Sequence, residues 1–354
     1  MKGKVLTSWS LIWLLSAVLL VAGGLLNLSQ RGFQKLPPTD GVTWVHRDGG
    51  IYAQSVKPEL AGSRAGIAVG DRLIGIGLDA DDNTDEITSV ADVQMYLDAA
   101  GVDGNLTYFY QKPSYAPADS FYFADLRHID AVPRWTPSII FLSIVGVFWL
   151  GVGVFVLFKQ GSQSPFVLHF ATVCLAAFVF HVYRPVGTGQ DLDLGVGLLD
   201  DLAFALFVPL FLHFCIRYPV RSTVFDDRRW KTYALYVPAA VVTAVLFVFS
   251  LVPALFPQTS IAEAMAKVTD SLNLFGNAYR FLLFHFIGGV AIGAGFLIWR
   301  FFKNDQIVVR QRLKWAMWGT VAAVIPIIAV QLVSRFGVQI ADDNFATGLT
   351  TLPL

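Results

Sequence analysis

Apolar residues fall into seven long runs along this chain, approximately Trp9–Leu28, Ser138–Phe158, Phe166–Tyr183, Leu198–Ile216, Tyr233–Phe256, Tyr279–Phe301 and Trp315–Val333. Each run is long enough to cross a bilayer as a helix, an element that satisfies its own backbone where no water is present. Between the first and second runs lies an island, Gly41 to Lys112, in which the period changes. Leu73 to Ile76 and Asn105 to Tyr110 follow strand spacing, whereas Ser89 to Leu97 sets Val93, Tyr96 and Leu97 behind an N-cap serine at helical spacing. The pattern predicts a polytopic α-helical membrane protein of about seven spans, with an α+β domain inserted between spans 1 and 2.

The loops supply an orientation. Lys2 and Lys4, Lys159, the group Arg217, Arg221, Arg228, Arg229 and Lys231, and the group Arg300, Lys303, Arg310, Arg312 and Lys314 fall on one side, while the opposite loops hold only Arg184, Lys267, Arg280 and Arg335. By the positive-inside rule the N-terminus is cytoplasmic and the island faces out across a cell (inner) membrane. The first run follows a basic start and ends in no A-x-A-like site, so an uncleaved anchor is expected rather than a signal peptide. The expected divisions are an anchor over 1–29, the inserted domain over 36–113, a connector over 114–135, a six-span bundle over 136–335, and over 336–354 an outer loop with the start of an eighth span cut short. Phe121-Tyr122-Phe123 looks strand-like inside that connector, but Pro113, Pro117 and Pro133 break it up.

Composition agrees with the hydropathy pattern. Of 354 residues 55% are hydrophobic and 15% charged, with a mean hydropathy of +0.57, too apolar for a soluble protein of this size. Acidic and basic residues balance at 26 each, so nothing points to nucleic acid as a partner. Cys174 and Cys215 both lie in apolar runs and read as small hydrophobes.

The island centres on Ala65-Gly66-Ile67-Ala68-Val69-Gly70-Asp71-Arg72-Leu73-Ile74-Gly75-Ile76. Gly66 and Gly70 suit the positive φ of a tight turn, and Asp71 can accept from nearby amides at the strand entry. This stretch resembles the A-G-L-x-x-G-D-x-I-x-x-I signature of PDZ domains. Gly41-Val42-Thr43-Trp44 stands where that family carries its G-L-G-F-like loop, and Gly50 to Val56 resembles its G-x-x-V-x-x-V strand. The resemblance implies a groove for a peptide or protein ligand. The amides around Gly41, Val42, Thr43 and Trp44 would take a terminal carboxylate, Val42 and Trp44 would meet the last side chain, and Val90 or Gln94 would border the groove. Thr43 replaces a more usual glycine, and its Cβ restricts the loop. The other reading is a PDZ fold that only spaces or docks against the bundle.

Two further stretches, Leu212-His213-Phe214-Cys215-Ile216-Arg217-Tyr218-Pro219 and Arg310-Gln311-Arg312-Leu313-Lys314-Trp315-Ala316-Met317-Trp318-Gly319, are similar to the L-H-F-x-x-x-F-P and R-x-Q-L-K-W-x-x-x-G elements of multi-spanning bacterial sensor histidine kinases of the competence quorum-sensor type. Those kinases place a PDZ-like domain between their first two spans. Arg312 replaces the usual Gln and Tyr218 the usual Phe. The resemblance implies the sensory half of a two-component signalling protein, dimeric if a kinase, whose output domain lies outside these residues. The alternatives are a PDZ-containing scaffold or transporter-like protein, or the same sensor fused to a phosphatase or cyclase.

Catalytic motifs are missing from the sequence: there is no H-E-x-x-H, G-x-S-x-G, Walker A, kinase glycine box or phosphoacceptor helix. No catalytic residue, cofactor or metal is therefore expected in these residues. Histidines 169, 181, 213 and 285 lie in or at the ends of spans, where interhelical hydrogen bonding accounts for them better than a haem or metal site. Asp79, Asp81, Asn83 and Asp85 read as a solvated acidic turn, since Thr84 and Val90 replace the Gly and Glu of a calcium loop. Arg184, Asp200 and Asp201 cluster at the outer ends of two spans, with Asp191 and Asp193 nearby, and are candidates for a signal contact.

Overall fold

A computed structural model describes residues 8–47, 49–78, 84–112, 121–160, 165–186, 191–218, 229–256, 259–311 and 313–314. The long helices follow the apolar runs: α1 (Ser8–Phe33), α4 (Pro137–Gln160), α5 (Pro165–Val182), α6 (Asp191–Arg217), α8 (Val237–Leu255) and α10 (Leu274–Lys303). Short helices α7 (Arg229–Ala234) and α9 (Ser260–Ser271) flank α8.

Among the described residues, five helical stretches are long and apolar enough to cross a membrane: Ser8–Phe33, Ile139–Lys159, Leu192–Arg217, Thr232–Leu255 and Leu274–Lys303. The run expected to form the third span is a shorter apolar helix, Phe166–Val182. The expected seventh span and the start of an eighth lie outside the described residues. Helix α4 keeps Ile144, Val147, Phe148 and Phe155 more than half exposed, as a face meeting hydrocarbon would. In α9, Ile261, Met265 and Val268 recur at helical spacing, and Ile261 and Leu272, just past the helix, are largely exposed.

Helix α5 packs between α4 and α6, α1 lies on α5, and α6 is also flanked by α8 and α10. The core between α5, α6 and α10 is aromatic: Phe180, Phe204, Phe207 and Phe286 have ring centroids 5.2–6.2 Å apart. Such spacing adds edge-to-face and offset contacts to the burial of the rings.

Between α1 and α4 stands a six-stranded antiparallel sheet. Strands β2 (Val42–Arg47), β3 (Gly50–Val56), β4 (Arg72–Gly77), β6 (Leu106–Gln111) and β7 (Phe121–Leu126) lie in the order β2-β3-β4-β6-β7, and β5 (Asp85–Glu86) pairs with β4. Short α2 (Ala61–Arg64) precedes the central turn, and α3 (Val90–Ala100) lies over β2, β4 and β6. Gly66 and Gly70 have φ of +86° and +93°, and Asp71 accepts the Ala68 N–H at 2.9 Å, which fixes the entry to β4. A capping box starts α3: Ser89 accepts from the Asp92 amide, and the Asp92 carboxylate accepts from Ser89 N–H.

One expectation is corrected. The stretch 114–135, expected as a connector, supplies β7 and β8 (Asp130–Ala131). Residue pairs Phe109 with Phe123 and Tyr110 with Tyr122 face each other across β6 and β7, while Ala124 and Leu126 reach the core. Pro113, Pro117 and Pro133 flank this run rather than interrupt it, so each ladder N–H within it remains. Strand β8 pairs with β1 (Pro38–Thr39), so the chain enters and leaves the domain through two adjacent, hydrogen-bonded strands.

Candidate functional site

Strand β2 is an edge of the sheet and α3 packs against it, so these two elements are where the expected groove would lie. An edge strand leaves alternate backbone groups unpaired on its outer side, which is what an added strand requires. On α3, Val90 is 37% exposed and Gln94 is also exposed, its amide donating to Asp98 at 2.9 Å. On β2, Thr43 faces away, its hydroxyl accepting from Ser55 at 2.9 Å. Trp44 turns inward: it is buried, edge-on to Tyr108 with centroids 5.9 Å apart, and its indole belongs to the domain core. Val42 packs toward Gly62, where any Cβ would fall 2.5 Å from its methyl. Of the residues expected to line the groove, Val90 and Gln94 are exposed on α3, whereas the Trp44 side chain is buried in the domain core.

The loop at the end of the groove holds a residue that sequence reasoning passed over, Asp40. Its Oδ1 accepts the Val42 N–H at 2.9 Å, and its Oδ2 accepts Trp44 Nε1–H and the Tyr108 hydroxyl, both at 2.8 Å. The neighbouring Gly41 N–H donates to Thr39 Oγ1 at 3.1 Å. Two loop amides expected to meet a ligand thus have acceptors within the chain. Burial pushes the Asp40 carboxyl above its ordinary 3.8, against the opposing pull of its three donors, and pushes the Tyr108 hydroxyl well above its own usual value.

These shifts set a pH dependence. A carboxyl raised in the folded state contributes stability that is fully present below 3.8 and is lost as pH rises through the folded value. Asp92 has the opposite sign: burial raises it, but the Thr88 and Ser89 amides and hydroxyls together bring it below 3.8, so its contribution is lost as pH falls. Asp40→Asn is expected to flatten the fall in domain stability as pH rises above 3.8, leaving the slope that comes from Asp71, which burial also raises. Hydrogen exchange of the β4 and β6 amides in the reconstituted protein would measure this. Equal slopes in both proteins would contradict the assignment. The Asn amide facing Trp44 Nε1–H adds only a pH-independent offset.

A second polar cluster joins the domain to the bundle. Arg184 donates to Asp200 at 3.1 Å with both side chains largely buried, and Tyr279 donates to Asp201 at 3.2 Å. Asn27 of α1 exchanges two 3.0 Å bonds with the backbone of Arg184, Arg31 donates to the Pro185 carbonyl at 3.1 Å, and Asp193 accepts the Val186 N–H. Arg134, just after β8, donates to the carbonyls of Arg31 and Gly32. The three candidates Arg184, Asp200 and Asp201 are brought together here, inside the protein. Asp200 is 6% and Asp201 8% exposed, and Asn27, Arg31 and Tyr279 complete a set that spacing along the chain could not have shown.

At the opposite ends of the helices, Arg300 donates to the carbonyls of Cys215, Ile216 and Tyr218 at 2.8–3.3 Å and so caps α6. His169 and His213 lie with ring centroids 4.6 Å apart; His169 bonds the Leu210 carbonyl and His213 the Tyr236 hydroxyl. Among the described residues no three His, Cys, Asp or Glu come together as a metal site. Asp79, Asp81 and Asn83 lie outside the described residues, and Asp85 accepts the Tyr96 hydroxyl.

No protein-family model and no curated protein matches this chain. Among solved structures, the PDZ domain of a carboxy-terminal protease from Vibrio cholerae, in complex with a peptide, is 15% identical, with a TM-score of 0.23 over 28% of this chain and 98% of its own. What stands is a mostly helical chain with helices suited to a membrane and a small sheet domain with a weak PDZ likeness.

Proposed function

We propose that these residues are the membrane-embedded sensory region of a bacterial signalling protein. The sheet domain accepts an extended peptide or protein segment outside the cell, and the bundle passes the event to a cytoplasmic histidine kinase domain beyond these residues. One observation carries the relay: the paired strands β1 and β8, through which the chain enters and leaves the domain, lead directly into the Arg134–Arg31–Pro185 hydrogen bonds at the ends of α1 and α5. A tilt of the domain would pull on α1 and on the joint between α5 and α6 together. Shifts of helix ends by about 2 Å are the usual scale of such transitions. The kinase output rests on the Leu212–Pro219 and Arg310–Gly319 resemblances, and a homodimer follows from that output.

The test uses the full chain in nanodiscs with spin labels at Lys159 and Lys303, and a pooled decapeptide library as probe. Peptide binding is expected to move the mean distance between the labels by about 2 Å. Binding without any change in that distance would rule out the relay, and no binding at all would rule out the peptide groove.

A further inference from the structure

Resting on the groove reading above, we propose that the groove takes an internal, extended segment of a protein rather than a chain terminus, because Asp40 and Thr39 already hold the first two amides of the loop. A terminal carboxylate needs converging N–H groups that point at it and lack a partner. Here the Val42 N–H is spent on Asp40 Oδ1 at 2.9 Å and the Gly41 N–H on Thr39 Oγ1 at 3.1 Å. Asp40 is no side chain that swings aside. It is 1% exposed, its own carbonyl accepts the Gly62 N–H at 2.7 Å, and its Oδ2 satisfies the buried indole of Trp44 and the hydroxyl of fully buried Tyr108. Moving it would leave both donors unpaired in the core, which is costly.

All three donors to Asp40 belong to the chain itself, and between them they occupy both of its carboxyl oxygens. The outer edge of β2 is unaffected. Strand addition there draws only on main-chain groups, which an internal segment offers as well as a terminus does. Such a segment runs past the loop and sets an apolar residue against Val90, the exposed aliphatic side chain at the start of α3.

The test uses the full chain in nanodiscs and two display libraries of decapeptides, one flanked by Gly-Ser linkers on both sides and one ending in a free carboxylate. An enriched sequence is then synthesised as the free acid, as the C-terminal amide and with a short C-terminal extension. All three forms are expected to bind within about threefold of one another, a difference too small for a lost charge-assisted contact. Asp40→Ala, which releases the Val42 amide, is expected to turn this into a preference of about tenfold for the free acid. Asp40→Asn, which keeps an acceptor on that amide, is expected to stay indifferent and guards against a folding artefact in the alanine variant. A tenfold preference of the unaltered protein for the free acid would overturn the inference and leave the groove reading standing. No binding of any form would overturn both.

Discussion

Replacing Arg184 with methionine is expected to destabilise the bundle by about 3–5 kcal/mol, the range for removing one partner of a buried ion pair. The pair is 3.1 Å long with side chains only 16% and 9% exposed, so Asp200 would be left as an uncompensated charge among packed helices. Because the hydrogen bonds between Asn27 and residue 184 use the backbone, they survive the substitution, and the loss reports the Arg184 side chain. The double variant Arg184→Met with Asp200→Leu is expected to recover most of the loss, since two apolar side chains of similar volume carry no desolvation penalty. Thermal unfolding of the reconstituted proteins would separate the cases: a double variant as unstable as the sum of the singles would show that each charge acts independently. A bundle that regains stability but loses the ligand-dependent distance change would place this pair in the relay.

The same cluster shows why part of the site could be read along the chain and part could not. Charges are rare inside apolar runs, so Arg184, Asp200 and Asp201 stand out at once, as do runs of lipid-spanning length. Asn27 and Tyr279 carry no such mark, because a neutral polar residue in a helix becomes a partner only when another helix arrives. Asp40 is the sharper case. It follows a proline pair and precedes the recognised loop, where an aspartate reads as solvated linker, and only the folded domain brings Tyr108 of β6, 68 residues away, onto its carboxylate beside Trp44. Strand β7 was obscured by prolines on both sides of it. The Gly66 to Asp71 turn, by contrast, depends on neighbours within a few residues, and local chemistry suffices to predict it.

Gly289→Leu is expected to pry α10 from α6 and cost about 3 kcal/mol, the upper part of the range for overpacking. Even a methyl at this position would fall 2.2 Å from Cγ1 of Val208, and one at Gly293 would fall 2.5 Å from the Phe211 ring. Val208 is fully buried and β-branched, so it has no rotamer into which to retreat. Spaced four apart on one face, the two glycines let the helix backbones approach closely, which in lipid replaces the hydrophobic drive that water supplies elsewhere. Gly288 is the control: a Cβ there meets nothing within 4 Å, and Gly288→Leu is expected to change stability by no more than about 0.5 kcal/mol. Pairing Gly289→Ala with Val208→Ala exchanges volume across the contact and is expected to restore most of what Gly289→Ala alone removes. Separation of these helices would also withdraw Arg300 from the carbonyls that end α6, so frayed amides near Ile216 in Gly289→Leu, and intact ones in Gly288→Leu, would tie the close approach to the cap at the far end of the bundle.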